Sequence, residues 1–365
     1  MEENNRGARK ILGRAPKIVS IGGGTGLSTM LRGLKEYTED ITAVVSVADD
    51  GGGSGVLRRD LNMPPPGDIR SCILALSKTE PVMEKLLQYR FQSGTLSGQN
   101  FGNLFLAAMN EIFDGDFVTA VQKVSDVLRV RGKVLPVTDT DVELVARLEN
   151  GQRVTGESAI GHCVAQYNSR ISRVKLRPKH AGEETSIGLV PEIEREIAAA
   201  DLITLGPGSL YTSVLPNLAV PDLVRCIQNS GVPVVYINNI MTQPGETDGY
   251  TAFDHVRAIL DHTAPDFLQY CIVNAQPVDT PLLSKYAEQD AEAVPLDEAA
   301  FSGTGIRLFK RNLVGIVQGQ YIRHDTGVLA DAILDVLNYS RASKGVSVSE
   351  EGVVLYQPKH KHPKV

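Results

Sequence analysis

Long apolar runs, paired cysteines and an excess of basic charge are all missing from this 365-residue chain, and each absence removes a class of function. No apolar segment approaches the roughly 18 residues needed to span a bilayer. The opening residues, MEENNRGARKILGRAP, lack the apolar centre of a secretion signal. Cys72, Cys163, Cys226 and Cys271 stand far apart, without the spacing of a metal or redox pair, so buried thiols in a reducing compartment are expected. The protein is therefore expected in the cytoplasm, with no membrane span. A net charge of -6 argues against a phosphate-backbone binder, and nucleic acid is not an expected partner.

What is abundant is glycine. The chain has 34 of them against an otherwise ordinary globular composition of 42% hydrophobic and 22% charged residues, so the glycines need a local explanation. The length suits two domains or one large α/β domain with insertions. Lys17 to Ile21 reads as a strand that runs through GGGTG into a helix with Leu27, Met30, Leu31 and Leu34 at helical spacing. ITAVVSV, residues 41–47, reads as a second strand buried on both faces. The segment ADDGGGSGVLRRDLNMPPPGD, with its glycine cluster and three prolines, reads as a long irregular loop.

Helical patterns follow at 69–76, 82–89, 103–112 and 117–128. Strand-like alternation fills 133–177, with Asn150-Gly151 as a hairpin turn. The α/β rhythm resumes with a helix at 193–199 and strands at 202–205, 232–238 and 267–273, the last two separated by a helix at 252–260. A final helix at 328–337 is capped by Asp325 or Thr326. The expected fold is α/β: a Rossmann-like, doubly wound, mostly parallel sheet over 17–340, with a β-rich insertion at about 131–180 and polar tails at 1–16 and 341–365.

In such sheets ligands sit beyond the carboxyl ends of the strands, so the residues after each strand carry the functional signal. Gly22, Gly23, Gly24, Thr25, Gly26 and Leu27 form a phosphate cradle by position, where backbone N–H groups and a helix dipole meet an anion. Leu27 occupies the place of the third glycine of a dinucleotide fingerprint, and the lysine of a P-loop is missing. Asp49 and Asp50 end the second strand, where an acid can accept ribose hydroxyls or hold Mg²⁺; a solvated turn is the alternative. Ser54 and Arg58 could close over a ligand. Asp68 is expected to cap the next helix. Arg70, Asn100 and Asn103 start apolar helices, where they cap or meet a ligand.

A second turn, Gly206, Pro207, Gly208 and Ser209, continues into Tyr211, Thr212 and Ser213. Its N–H and hydroxyl donors suit a second phosphate or a sugar, and Tyr211 could stack on a base. Asn238, Asn239, Thr242, Gln243, Glu246 and Thr247 follow a later strand and suit sugar hydroxyls. The seven histidines provide no acid–base set with convincing spacing, and His255 is expected at the surface of a helix.

VSIGGGTGLSTMLRGLK, VVSVADDGGGSGVLRRDLNMPPPGDIRSCILALS, SGQNFGNLFLAA, LITLGPGSLYTSVLPNL and YINNIMTQPGETDGYTAFDHV occur in that order between Lys17 and Tyr339. They closely resemble the gluconeogenesis factor, or YvcK-like, family, a distant relative of the CofD-like phospholactate transferases. The resemblance implies a UDP-sugar ligand of the UDP-N-acetylglucosamine type, with NAD-type dinucleotides as an alternative. It also implies a regulatory role that ties carbon supply to cell-envelope precursors and cell shape through a protein partner in amino-sugar or envelope-precursor synthesis. In the related transferases the positions matching Gly22 to Gly26, Asp49, Asp50 and Gly206 to Ser209 face the nucleotide and the phospho-acceptor. The regulatory branch is non-catalytic by the same resemblance. Arg323, in YIRHDTG, could pair with a diphosphate through its fork, and Tyr286 lies in KYAEQD; surface solvation is the alternative for both. A homo-oligomer is the expected assembly. Two functions remain open, with a dehydrogenase as a minor third: a nucleotide-sugar sensor, or a Mg²⁺-dependent CofD-like transferase in which Asp49 or Asp50 carries the metal.

Overall fold

A computed structural model describes residues 9–12, 14–179, 186–343 and 353–356. In chain order the first half comprises β1 (Arg9–Leu12), β2 (Ile18–Gly22), α1 (Gly24–Leu34), β3 (Ile41–Val45), α2 (Gly52–Leu61), α3 (Gly67–Leu76), α4 (Pro81–Gln88), α5 (Phe101–Ile112), α6 (Phe117–Val127) and β4 (Lys133–Pro136). Then come β5 (Val142–Leu148), β6 (Arg153–Thr155), α7 (Glu157–Ile160), α8 (Cys163–Tyr167), β7 (Ile171–Pro178) and α9 (Pro191–Ala198). After β8 (Leu202–Leu205), a π-turn over Leu210–Val214 leads to α10 (Leu215–Leu218), α11 (Pro221–Ser230), β9 (Val234–Ile237), α12 (Ala252–His262), β10 (Tyr270–Asn274) and α13 (Thr280–Ala287). The chain ends with β11 (Arg307–Arg311), β12 (Val314–Val317), β13 (Tyr321–His324), α14 (Thr326–Ser343) and β14 (Val353–Tyr356).

Seven strands form the central sheet in the order β11-β10-β9-β8-β2-β3-β4, and every pairing in it is parallel. The chain adds strands outward from β2 in one direction as far as β4. It then returns to place β8 on the other side of β2. The order therefore reverses between β2 and β8, which is where an open α/β sheet opens a crevice for ligand. The β-branched runs explain this core: Val19 and Ile21 point into one apolar layer and Ile18 into the other, each 0% exposed. α1, α3 and α14 cover one face; α9, α11 and α12 cover the other.

The insertion is a three-stranded antiparallel sheet, β6-β5-β7, turned at Asn150-Gly151 as expected. β4 belongs to the central sheet. Two expectations need correction. The segment read as a long irregular loop contains α2, because VLRRDL after the glycines is a good helix former and buries Leu57. Within the two segments read as polar tails, β1 and β14 pair antiparallel; the remaining tail residues outside 14–343 are not among those described. Asp325 does cap α14, its Oδ1 accepting from the N–H of Gly327 and Val328. Among the described residues no helix is long and apolar enough to cross a membrane.

Candidate functional site

Both glycine turns lie at the switch point, with their backbones in contact. Gly24 has φ +65, in the left-handed region that glycine adopts freely, and this turns the chain from β2 into α1. A Cβ on Gly26 would sit inside the van der Waals sphere of the Pro207 carbonyl, and one on Gly208 would lie 3.3 Å from the Gly23 carbonyl oxygen. Asn217 ties the turns together: its Nδ2 donates to the carbonyls of Gly22 at 3.0 Å and Ser213 at 2.8 Å. α1 has no side-chain cap and no acid in its own first turn, so its leading N–H groups face the turn without a local partner. Thr25 is exposed on this rim, and Gly208, Ser209 and Ser213 are partly so. Leu27 is 0% exposed and packs into the core, so only its backbone could serve the cradle.

The anion that α1 lacks locally comes from α3. Asp68 is not the expected cap, since Pro66 occupies the cap position and makes no side-chain bond. Instead the Asp68 carboxylate accepts from the Gly24 N–H. A Cβ on Gly23 would lie 2.7 Å from its Oδ2. Burial, then the neighbouring charge of Asp49, raises Asp68 to about 6.

Asp49 and Asp50 point apart. Asp49 Oδ1 accepts from the Gly51 N–H at 2.9 Å. Asp50 Oδ1 accepts from Ser158 N–H at 2.9 Å and Ser158 Oγ at 2.6 Å, latching the insertion to the sheet. Among the described residues no three His, Cys, Asp or Glu side chains converge as a metal cage. Two glutamates beside this rim are shifted upward. Glu157, on α7 of the insertion, is raised to about 8 by burial and then by Asp49 and Asp50. Buried Glu246 is raised to about 7, chiefly by burial.

These shifts give a stability slope with a definite sign. The folded chain holds protons that the unfolded chain releases above about pH 4.5. Stability is therefore full below the ordinary carboxyl range and falls as the pH rises toward the folded value of about 8 for Glu157. Glu157→Gln should stabilise the protein by about 1–3 kcal/mol at high pH and little at low pH. Urea unfolding of both chains across that range is the check, and a pH-independent difference would contradict the assignment.

Several expected ligand contacts turn out to hold the scaffold. Arg58, 3% exposed, binds Asp141 Oδ1 through Nε at 2.8 Å and Nη2 at 2.6 Å, and also the carbonyls of Val142 and Asp49. It fixes the end of β3 to the insertion and does not close over a ligand. Tyr211 does not offer its ring for stacking: it is 2% exposed and its hydroxyl bonds Tyr250 and the Ile171 carbonyl. Thr212 and Gln243 both donate to Glu246 Oε1, and Thr242 Oγ1 accepts from the Glu292 N–H. Asn238 donates to the Ala252 carbonyl and Asn239 to the Gly208 carbonyl. Asn100 caps α5, accepting from the N–H of Asn103. Buried Ser54 lies against Asn103, whose Nδ2 is 3.4 Å from its hydroxyl.

Tyr286 accepts from the Ile322 N–H, while Arg323 donates to the Ile322 carbonyl and lies 5.7 Å from the Tyr321 ring. His324 Nε2 donates to the Asn238 carbonyl at 3.1 Å, so this hairpin sits at the end of β9. His255 is not at the surface: it is 0% exposed, with Nδ1 at 2.8 Å from the Thr251 carbonyl. Glu157 and Ser158 were not legible as site residues, because they reach the sheet only through the folded insertion.

Comparison with known proteins agrees with this architecture. The family model for the 2-phospho-L-lactate transferase CofD matches residues 18–314. A gluconeogenesis factor of Bacillus subtilis is 46% identical over 327 residues, covering 89% of this chain and 99% of the relative. The chain belongs to the gluconeogenesis factor family. A second family member, from Halalkalibacterium halodurans, is 46% identical and covers 87% of the chain and 95% of its own length. A crystal structure of a Bacillus halodurans protein superimposes with a TM-score of 0.82 at 44% identity, covering 88% of this chain and all of that one. The resemblance read from the five sequence segments thus stands, as does the α/β fold.

Proposed function

We propose that this family member binds a nucleoside diphosphate sugar of the UDP-N-acetylglucosamine type in the cytoplasm. In this reading the loaded form regulates a protein partner in amino-sugar or envelope-precursor synthesis, linking carbon supply to cell shape. The observation that carries it is the pair of glycine turns touching at the β2–β8 switch point beside the N-terminus of α1, where Asp68 is the nearest carboxylate. Binding without turnover is favoured by how three histidines are used. His262 bonds the Ala258 carbonyl and accepts from the Val174 N–H, His255 bonds the Thr251 carbonyl, and His324 bonds the Asn238 carbonyl. Burial lowers His324 to about 4. These groups position main chain; they are poor proton shuttles near neutrality.

Calorimetry with UDP-N-acetylglucosamine should show saturable binding, and the ligand should be recovered intact after incubation with Mg²⁺. Gly23→Ala places a methyl group against Asp68 and the cradle. It should weaken binding by about tenfold or more while the fold is retained, since Gly23 is extended, with φ -171. No heat with UDP-N-acetylglucosamine, or heat only with a dinucleotide such as NAD, would reject the reading. The second reading, a Mg²⁺-dependent transfer of a phosphorylated group, is favoured by the CofD match and by the acidic rim. Product formed from a nucleoside diphosphate donor, and lost in Asp50→Asn, would support it.

A further inference from the structure

We propose that the N-terminus of α2 is a second oxyanion subsite, in which the N–H groups of Gly52 to Ser54 and the guanidinium groups of Arg70 and Arg90 hold a phosphate or carboxylate group. α2 runs ten residues from Gly52, and Gly51, at its cap position, is extended and makes no side-chain cap. Its first intrahelical bond is from the Gly55 N–H to the Gly51 carbonyl, which leaves the three preceding N–H groups directed out of the helix. Gly52 is exposed and Gly53 half-buried, so no Cβ shields them.

Four side chains from three other segments gather here. A Cβ on Gly53 would lie 3.1 Å from Gln99 Oε1 and 3.8 Å from Arg90 Nη1. The stem of Arg70 lies across Gly102 at the start of α5, where a Cβ would be 2.7 Å from its Cδ. Burial and then the like charge of Arg90 lower Arg70 from its ordinary value, while Asp68 opposes this more weakly. Among the described residues neither arginine is ion-paired: Arg90 donates to the Gly98 carbonyl, and Arg70 reaches only Ser71 Oγ, at 3.4 Å. Two adjacent cations outside any ion pair, with Asp68 as a weak opposing charge, are a recognition element for an oxyanion.

Among the buried polar atoms one donor, Arg70 Nε, and two acceptors, Gln99 Oε1 and Asn103 Oδ1, have no partner. Asn103 is 4% exposed and its amide lies against Ser54, the third residue of α2. Turning that amide over lets the Ser54 hydroxyl donate to Oδ1 and frees the NH₂ group for an acceptor. One added oxyanion would satisfy Arg70 Nε, an Asn103 NH₂ group and the α2 N–H groups together. The oxyanion could belong to the far end of the ligand in the α1 cradle or to a separate metabolite. The subsite itself does not depend on the nucleotide-sugar reading.

The test uses the full chain and two inorganic probes. Crystals grown with selenate, measured at the selenium edge, should show an anomalous peak within hydrogen-bond reach of Arg70, Arg90 and the α2 N-terminus. In solution, sulfate titrated at constant ionic strength should bind about tenfold more weakly to Arg90→Ala, whose side chain is exposed, and to Arg70→Gln. Arg90→Lys should lose less. Loss of sulfate binding after loading with UDP-N-acetylglucosamine assigns the oxyanion to that ligand; persistence assigns it to a separate metabolite, and either outcome supports the subsite. Sulfate binding in a chain that ignores UDP-N-acetylglucosamine would reject the nucleotide-sugar reading alone. A selenate map empty at α2, or sulfate affinity unchanged in both arginine variants, overturns the proposal.

Discussion

Gly26→Ala is expected to destabilise the protein by about 2–4 kcal/mol, although alanine is the better helix former. Gly26 lies in the first turn of α1, where propensity alone predicts a gain of up to about 1 kcal/mol. The added Cβ would meet the carbonyl of Pro207 and, at 3.0 Å, the Gly208 nitrogen. Both are backbone atoms of a neighbouring turn held by Asn217 and Asn239, so neither can swing aside as a side-chain end could. The two turns must part. Ligand affinity should fall with stability, because the same contact sets the spacing between the two candidate phosphate cradles. Denaturant midpoints at constant m-value provide the measurement. A variant as stable as the parent would show that the turns are not in backbone contact.

Arg58→Met is the second large effect, at about 3–5 kcal/mol. Methionine keeps most of the volume but leaves the Asp141 carboxylate, with 16% of its side chain exposed, without the guanidinium that now binds it. It also strips donors from the carbonyls of Val142 and Asp49. Arg58→Lys should rescue little, since one ammonium cannot reach these separate acceptors as the fork does. The functional consequence is specific. With Asp49 no longer tied to the insertion, the acidic rim should loosen, and the pH-dependent stability assigned to Glu157 should shrink in the same variant. Retention of the full pH slope in Arg58→Met would separate the two and contradict this coupling.

These two residues also mark how far the sequence could be read. The turn containing Gly26 was legible because a strand, a glycine run and a helix follow one another within twenty residues. That arrangement has one common use in a parallel sheet. Arg58 was equally visible, but its direction was not. Its partner Asp141 lies 83 residues away, and nothing near Arg58 in the chain distinguishes a guanidinium that closes on a ligand from one that fastens an insertion. Asp68 was misread for the same reason. A cap is the default for an acid at a helix start, and only the approach of α1 to α3 shows that it serves Gly24. Tyr211 looked like a stacking ring because it follows a glycine turn. The insertion, with Ile171 behind it, makes it core.

By itself, then, the sequence determined the parallel α/β sheet, the two strand-to-turn units and the family to which they belong. Those depend on backbone conformation and on apolar periods of two and 3.6 residues, which neighbouring residues impose. Only the tertiary structure decided which polar side chains face the switch point and which are held elsewhere. Asp50 and Ser158 are 108 residues apart, and Arg70 and Arg90 share an environment only because α3 and the segment after α4 both abut α5. Side-chain hydrogen bonds and charge interactions act over a few ångströms in space and carry no period along the chain. Their partners exist only once the fold has brought them together.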